Sequence, residues 1–292
     1  MNIQWYPGHM TKTRRMIAEN LKFVDVVAEV IDARIPIASR NPDIDELVGD
    51  KPRVVILNRA DQADPAASKT WGAYYRARGI SVLECDARSG TGVKNFSPVM
   101  REALKEQIAR WREKGQVGRP VRAMVVGIPN VGKSTFINKV AKRKSAKASD
   151  RPGVTRGKQW IAVDQGLELL DTPGILWPKF EDETIGLHLA FTGAVRDAIM
   201  DVETLSCHLI ELLSRRKPEA LSARFKLTEL EGKDGWTLLE EGARKRGFLI
   251  SGGEVDLERM ANILLDEFRG GKLGRITLEL PEDLEEAQHE AP

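Results

Sequence analysis

A chain of 292 residues, 41% hydrophobic and 30% charged, has the make-up of a folded protein with room for two cored regions. Its net charge of +2 excludes a protein that is basic or acidic throughout, so any nucleic-acid contact has to come from local clusters. Two cysteines without a C-x-x-C, no apolar run of about 18 residues and no secretory-type start argue against a disulfide scaffold and a membrane span, and a cytoplasmic location is expected.

Trp5, Tyr6, Pro7, Gly8 and His9 open the chain, and Pro-Gly is a turn signal. A helix is expected from Thr11 to about Phe23, with a basic face of Lys12, Arg14 and Arg15 that is either solvated or set against phosphates. Apolar strands are expected over Val24–Asp32, Arg53–Leu57 and Ile80–Cys85. Helices are expected near Asp43–Val48, around Trp71, Tyr74 and Tyr75, and over Met100–Lys114. Strands alternating with helices predict a parallel α/β sheet with ligand groups at the strands' C-terminal ends.

The run Gly127-Ile128-Pro129-Asn130-Val131-Gly132-Lys133-Ser134-Thr135 reads G-x-x-x-x-G-K-S between a β-rich stretch and a helical one. That context marks a nucleotide-binding P-loop rather than a plain glycine turn. The glycines let backbone N–H groups of Asn130, Val131, Gly132, Lys133, Ser134 and Thr135 curl towards phosphate oxygens. Lys133 reaches the β- and γ-phosphates, and the Ser134 hydroxyl holds Mg²⁺.

A polar stretch follows, with Lys142–Lys147 and then Arg151-Pro152-Gly153-Val154-Thr155-Arg156-Gly157. A hairpin about Gln165-Gly166 then ends in Asp171-Thr172-Pro173-Gly174. Asp171 suits a Mg²⁺-facing aspartate, Gly174 a γ-phosphate donor, and Thr155 a switch threonine on Mg²⁺; the P-loop, Thr155 and Asp171-Thr172-Pro173-Gly174 in that order indicate a GTPase-type switch. Guanine presents two donors that one carboxylate can accept together. Asn58-Arg59-Ala60-Asp61 resembles the guanine-reading N-K-x-D motif, with Asp61 as the discriminating group and Arg59 in place of lysine. Asp86 and Ala87 stand where a residue pair approaches the guanine O6, as a loose match. Asp61 disfavours an ATPase.

From about Ile185 helical patterns dominate: His188–Arg196, Val202–Leu213, Trp236–Arg246 and Leu257–Phe268. Basic clusters occur at Arg215–Lys217 and Arg244–Arg246.

The base-reading motifs precede the P-loop, whereas in Ras-like proteins they follow it, so the sequence looks like a circularly permuted GTPase. With the start Trp5-Tyr6-Pro7-Gly8-His9-Met10 and the loop at 151–157, it resembles the bacterial ribosome biogenesis GTPase A family over residues 1 to about 275. The expected fold is a P-loop GTPase with a doubly wound, mostly parallel, permuted sheet, followed by a mainly α-helical C-terminal domain. The expected limits are 1–180 for the GTPase domain, with a catalytic segment 1–23, then 181–280 for the helical domain and 281–292 for an acidic disordered tail.

The resemblance implies hydrolysis of GTP with Mg²⁺ in maturation of the large ribosomal subunit, with ribosomal RNA as partner of the helical domain. No DNA partner is expected, and a monomer is. A GTPase serving a tRNA or other RNA pathway stays open, as does a GTP-gated module with little turnover, because Ile175 stands where Ras-like enzymes carry the water-orienting glutamine. From its position His9 caps its helix, contacts RNA or orients water; the resemblance implies the catalytic role. Asn130 either braces the P-loop or shares its oxygen with a K⁺ ion beside the phosphates.

Overall fold

The computed structural model describes residues 8–141, 160–171, 183–195 and 201–284; for 8–13 and 171 it describes the backbone alone. In chain order its elements are α1 (Gly8–Leu21), β1 (Val26–Asp32), α2 (Asp43–Val48), β2 (Arg53–Asn58), α3 (Pro65–Ala77), β3 (Ser81–Glu84), α4 (Phe96–Ala103), α5 (Lys105–Glu113) and β4 (Val121–Val126). They continue with α6 (Lys133–Ala141), β5 (Trp160–Asp164), β6 (Leu167–Asp171), α7 (Glu183–Phe191), α8 (Val202–Arg216), α9 (Pro218–Phe225), α10 (Gly235–Arg246) and α11 (Leu257–Arg269).

The strands form one sheet in the order β3-β2-β1-β4-β6-β5. All pairs are parallel except β5 with β6, whose short hairpin turn permits an antiparallel partner. Every residue of β1 is buried, as a strand covered on both faces requires. Its alternation sorts the two sides: Val26, Ala28 and Val30 face a core with Phe96, Met100, Phe136 and Ile137. Val27 meets Ile17, Leu21 and Ile44 on the other side, and Ile31 meets Trp71 and Tyr75. The fold is therefore a doubly wound sheet with the P-loop strand β4 fourth in sequence but central in space. The permuted order changes the connections and leaves the sheet intact.

Beyond β6, α8 lies at the middle of a helical bundle and touches α7, α9, α10 and α11. Two of these neighbours, α10 and α11, start on side-chain caps: Asp234 accepts from Thr237 N at 2.8 Å and Asp256 from Arg259 N at 3.0 Å. Helix α7 spans Glu183–Phe191 where the sequence expectation was His188–Arg196, and two further elements differ. The single helix expected over Met100–Lys114 is two, broken at Leu104, which takes φ −109° and ψ 12° and is 1% exposed. Leu104 is buried at the break, in the same core as Met100 and Trp111. Helix α9 was not expected; Pro218 at its first turn is the sequence signal that marks it.

The segment after α11 returns to the sheet. Ile276 N donates to Gln62 O at 2.8 Å and Leu278 N to Arg34 O at 2.8 Å. The acidic stretch expected to be disordered from 281 begins with an ordered turn, in which Asp283 pairs with Arg216 at 2.8 Å; residues 285–292 lie outside the described residues. Among the described residues no helix is long and apolar enough to cross a membrane.

Candidate nucleotide-binding site

The loops after β4, β2 and β3 meet at the C-terminal edge of the sheet, where open α/β folds place their ligands. The P-loop has to pass close beneath its neighbours. A Cβ on Gly127 would stand 2.6 Å from the Val30 carbonyl oxygen, and one on Gly132, at φ +92°, would stand 2.4 Å from Asn58 Nδ2. Asn130 takes φ 64°, a left-handed conformation that asparagine tolerates better than most residues. Lys133 opens α6 and is 8% exposed. Ser134 and Thr135 lie exposed in its first turn, where a helix N-terminus offers donors and positive potential to anions.

Asn58 joins the base-reading loops to the P-loop. Its Nδ2 donates to Val131 O at 2.7 Å, and its Oδ1 accepts from Ala87 N at 3.0 Å. The Cys85 thiol, pushed up to about 12 by burial, stays neutral and faces the same Oδ1 at 3.7 Å. Arg59, at φ 60°, donates from Nη2 to Asn130 O at 3.2 Å, and its Nε lies 3.4 Å from Asp32 Oδ2. Asp32 is itself held by Arg34 at 2.9 and 2.7 Å. Burial opposes its charge, but the Arg34 and Arg59 guanidiniums hold its carboxyl below the usual range. Arg59 thus anchors to the P-loop backbone, a role the sequence did not suggest.

Asp61 is exposed at the mouth of this arrangement, one residue after Ala60, whose N–H donates to Cys85 O at 3.1 Å. Asp86 accepts from Arg88 N at 2.8 Å and Ser89 N at 3.0 Å and shapes its own loop. Burial raises its carboxyl and these bonds lower it, with the bonds prevailing. The Asp86 carboxylate is therefore spent on its own loop, while Ala87 stays tied to Asn58.

Four of the sequence-expected residues cannot be placed. Thr155 and Gly174 lie outside the described residues, and the side chains of His9 and Asp171 do too. The backbone of Asp171 pairs with Val125 of β4, so it stands beside the strand that leads into the P-loop. Serine and aspartate carry the hard oxygen donors that Mg²⁺ takes, and Ser134 is exposed in the first turn of α6. The Asn130 amide nitrogen donates to Ala194 O at 3.2 Å and Gly193 O at 3.4 Å, which links the P-loop to the turn after α7.

"Ribosome biogenesis GTPase A" of Bacillus cereus is 46% identical to the chain over 98% of its length and 96% of the relative's. The chain belongs to the ribosome biogenesis GTPase A family. It is accordingly a GTP hydrolase of ribosome biogenesis. The member from Priestia megaterium is 48% identical over 98% of this chain and 99% of the relative's, and that from Thermotoga maritima 30% over 99% and 98%. A model described as "50S ribosome-binding GTPase" matches residues 122–233, from β4 into the helical bundle. Among solved structures, GDP-bound YlqF of T. maritima matches with a TM-score of 0.68 at 29% identity, over 92% of this chain and all of the other. The family's permuted order is the one found here, with β1 to β3 ahead of the P-loop strand.

Proposed function

We propose that this GTPase acts on the large ribosomal subunit during its assembly, and that its nucleotide state gates contact between the helical bundle and ribosomal RNA. The observation that carries the nucleotide half is the Asn58 bridge, which fixes the base-reading loops relative to the phosphate loop. Lys133 and the first turn of α6 bind the phosphates; Ser134, Asp171 and Thr155 hold Mg²⁺, which supplies charge neutralisation at the phosphates. Asp61 accepts the two donors of guanine. The Asn130 contact with Gly193 and Ala194 supports the gating half, because a group bound in the P-loop then bears on the segment that leads into the bundle.

Guanine selectivity resides in Asp61 on this reading. Asp61→Asn turns one acceptor into a donor facing guanine's donors and costs about 1.5–3 kcal/mol of GTP affinity. The variant gains relative preference for xanthosine nucleotides, whose base carries oxygen in place of the amine. Competition binding with GTP and XTP checks this, and wild-type GTP affinity in the variant contradicts it.

The partner half is tested by co-sedimentation with large subunits under a GTP analogue and under GDP, at rising salt. Binding that depends on the analogue and weakens steeply with salt is expected, since each neutralised phosphate adds to the slope. Binding indifferent to nucleotide, or absent, refutes the proposal. The basic clusters expected to meet RNA also do intramolecular work. Arg14 pairs with Glu46 at 2.7 Å, Lys217 with Asp64 at 3.0 Å and Arg244 with Glu240 at 2.6 Å, while Lys245 donates to Lys226 O at 2.7 Å. Replacing Arg244, Lys245 and Arg246 together flattens the salt slope; because Lys245 and Arg246 tie α10 to α9, the melting temperature has to be followed beside it.

A further inference from the structure

The loop that carries Asp61 is held from a place no nucleotide motif marks. Its side chain is exposed, so its aim depends on the backbone of residues 59–63. That backbone starts from Arg59 at φ 60°, in the left-handed region, a conformation strained for a non-glycine residue that persists only when neighbours over-determine it. From the residue after β3, the Cys85 carbonyl holds Ala60 N at 3.1 Å. From the opposite end of the chain, Arg275 closes over the loop. Its Nη2 donates to Ala60 O at 2.6 Å and its Nε to Ala63 O at 2.8 Å, so one guanidinium fork grips the carbonyls on both sides of Asp61 and Gln62. Between them, Ile276 N donates to Gln62 O at 2.8 Å.

The grip is part of a longer strap. Thr277 Oγ1 accepts from Asp64 N at 3.0 Å and lies 3.2 Å from Ala33 O, to which it donates. Glu279 accepts from Ile37 N at 2.5 Å and from Ala38 N, and its other neighbour is His188 of α7, whose Nδ1 lies 2.6 Å away. Trp71 Nε1 of α3 donates to the Glu279 carbonyl at 2.9 Å. Anchored at Glu279 and continuous with α11, the strap presents Arg275 to the loop with little freedom.

We infer that Arg275 is a positioning residue for guanine recognition, and that the 275–279 strap makes the aim of Asp61 depend on the C-terminal region. This rests on Asp61 reading the base. A carboxylate that accepts from both the ring N–H and the exocyclic amine distinguishes guanine from hypoxanthine, which lacks the amine, only while both bonds are aligned. Loosening the loop therefore lowers affinity for the guanine nucleotide more than for the inosine nucleotide. A merely structural prop lowers both in parallel.

The test uses the full chain and its affinities for GDP, IDP and XDP in wild type, Asp61→Asn, Arg275→Ala and Arg275→Lys, with melting temperatures of each. Arg275→Ala is expected to lower the GDP-to-IDP preference about fivefold, the worth of one ordinary hydrogen bond. Arg275→Lys recovers part of the preference, because an ammonium reaches one of the two carbonyls. If Asp61→Asn shifts preference towards XDP while Arg275→Ala keeps the wild-type ratio, the inference is overturned and the base-site assignment survives. Equal losses for GDP and IDP in Arg275→Ala overturn it as well. If Asp61→Asn leaves the base preference untouched, the base-site assignment falls and the inference falls with it.

Discussion

Asn58→Ala is expected to weaken GDP and GTP binding about 100-fold in a protein that still folds. The residue is 3% exposed and satisfies two backbone groups of buried residues, the Val131 carbonyl and the Ala87 amide. A buried polar group left without its partner costs about 1–3 kcal/mol, and two such losses at one site reach about 3 kcal/mol, or roughly 100-fold in a binding constant. The cost falls on binding because the two groups belong to the loops that face phosphate and base, and the longer Arg59 bond to Asn130 O, at 3.2 Å, is then left to hold them together. Asn58→Asp is expected to do at least as much harm, since its second oxygen faces the Val131 carbonyl where a donor now stands at 2.7 Å. Calorimetry with GDP, alongside the melting temperature, separates loss of binding from loss of fold. Near-wild-type affinity in Asn58→Ala contradicts the bridging role.

The phosphate and base loops were legible because their chemistry demands particular residues at particular spacings. Gly127, Gly132 and Lys133 are fixed by the curvature and charge of a phosphate cradle, and the structure places the first two under contacts of 2.6 and 2.4 Å that leave no room for a side chain. The permuted connection followed from motif order, since the base-reading loops precede the P-loop, whereas the strand order came from the structure. Contacts made by ordinary residues far apart in sequence left no such trace. Arg275 and Ala60 are 215 positions apart, and an arginine bonded to main-chain carbonyls imposes nothing on its partners' side chains. Arg59 was read only as the replacement for the motif's lysine, and its tie to the Asn130 carbonyl follows only from the fold. The break at Leu104 was hidden for another reason: its neighbours have helical propensity on both sides, and no glycine or proline marks the turn.

His9→Ala is expected to keep GTP affinity and fold and to lose about 100-fold of turnover stimulated by large subunits, the scale of a general base or water-orienting group. Ile175 is apolar where Ras-like enzymes carry glutamine, so the attacking water needs an acceptor from another part of the chain. His9 lies in α1, whose Ile17 and Leu21 pack with Val27 of β1, Met124 and Val126 of β4 and Leu170 of β6. That seats the C-terminal half of the helix on the strands that lead into the P-loop and end at Asp171. A neutral imidazole accepts a hydrogen bond from water and an imidazolium does not. Stimulated turnover of the wild type should therefore fall as acid protonates the ring, and the residual turnover of His9→Ala should lack that acid limb. Single-turnover hydrolysis with saturating subunits, measured across pH for both proteins, reads the two effects together. Unchanged stimulated turnover in a folded His9→Ala protein rules out the catalytic role, and a shared acid limb assigns the titration to another group.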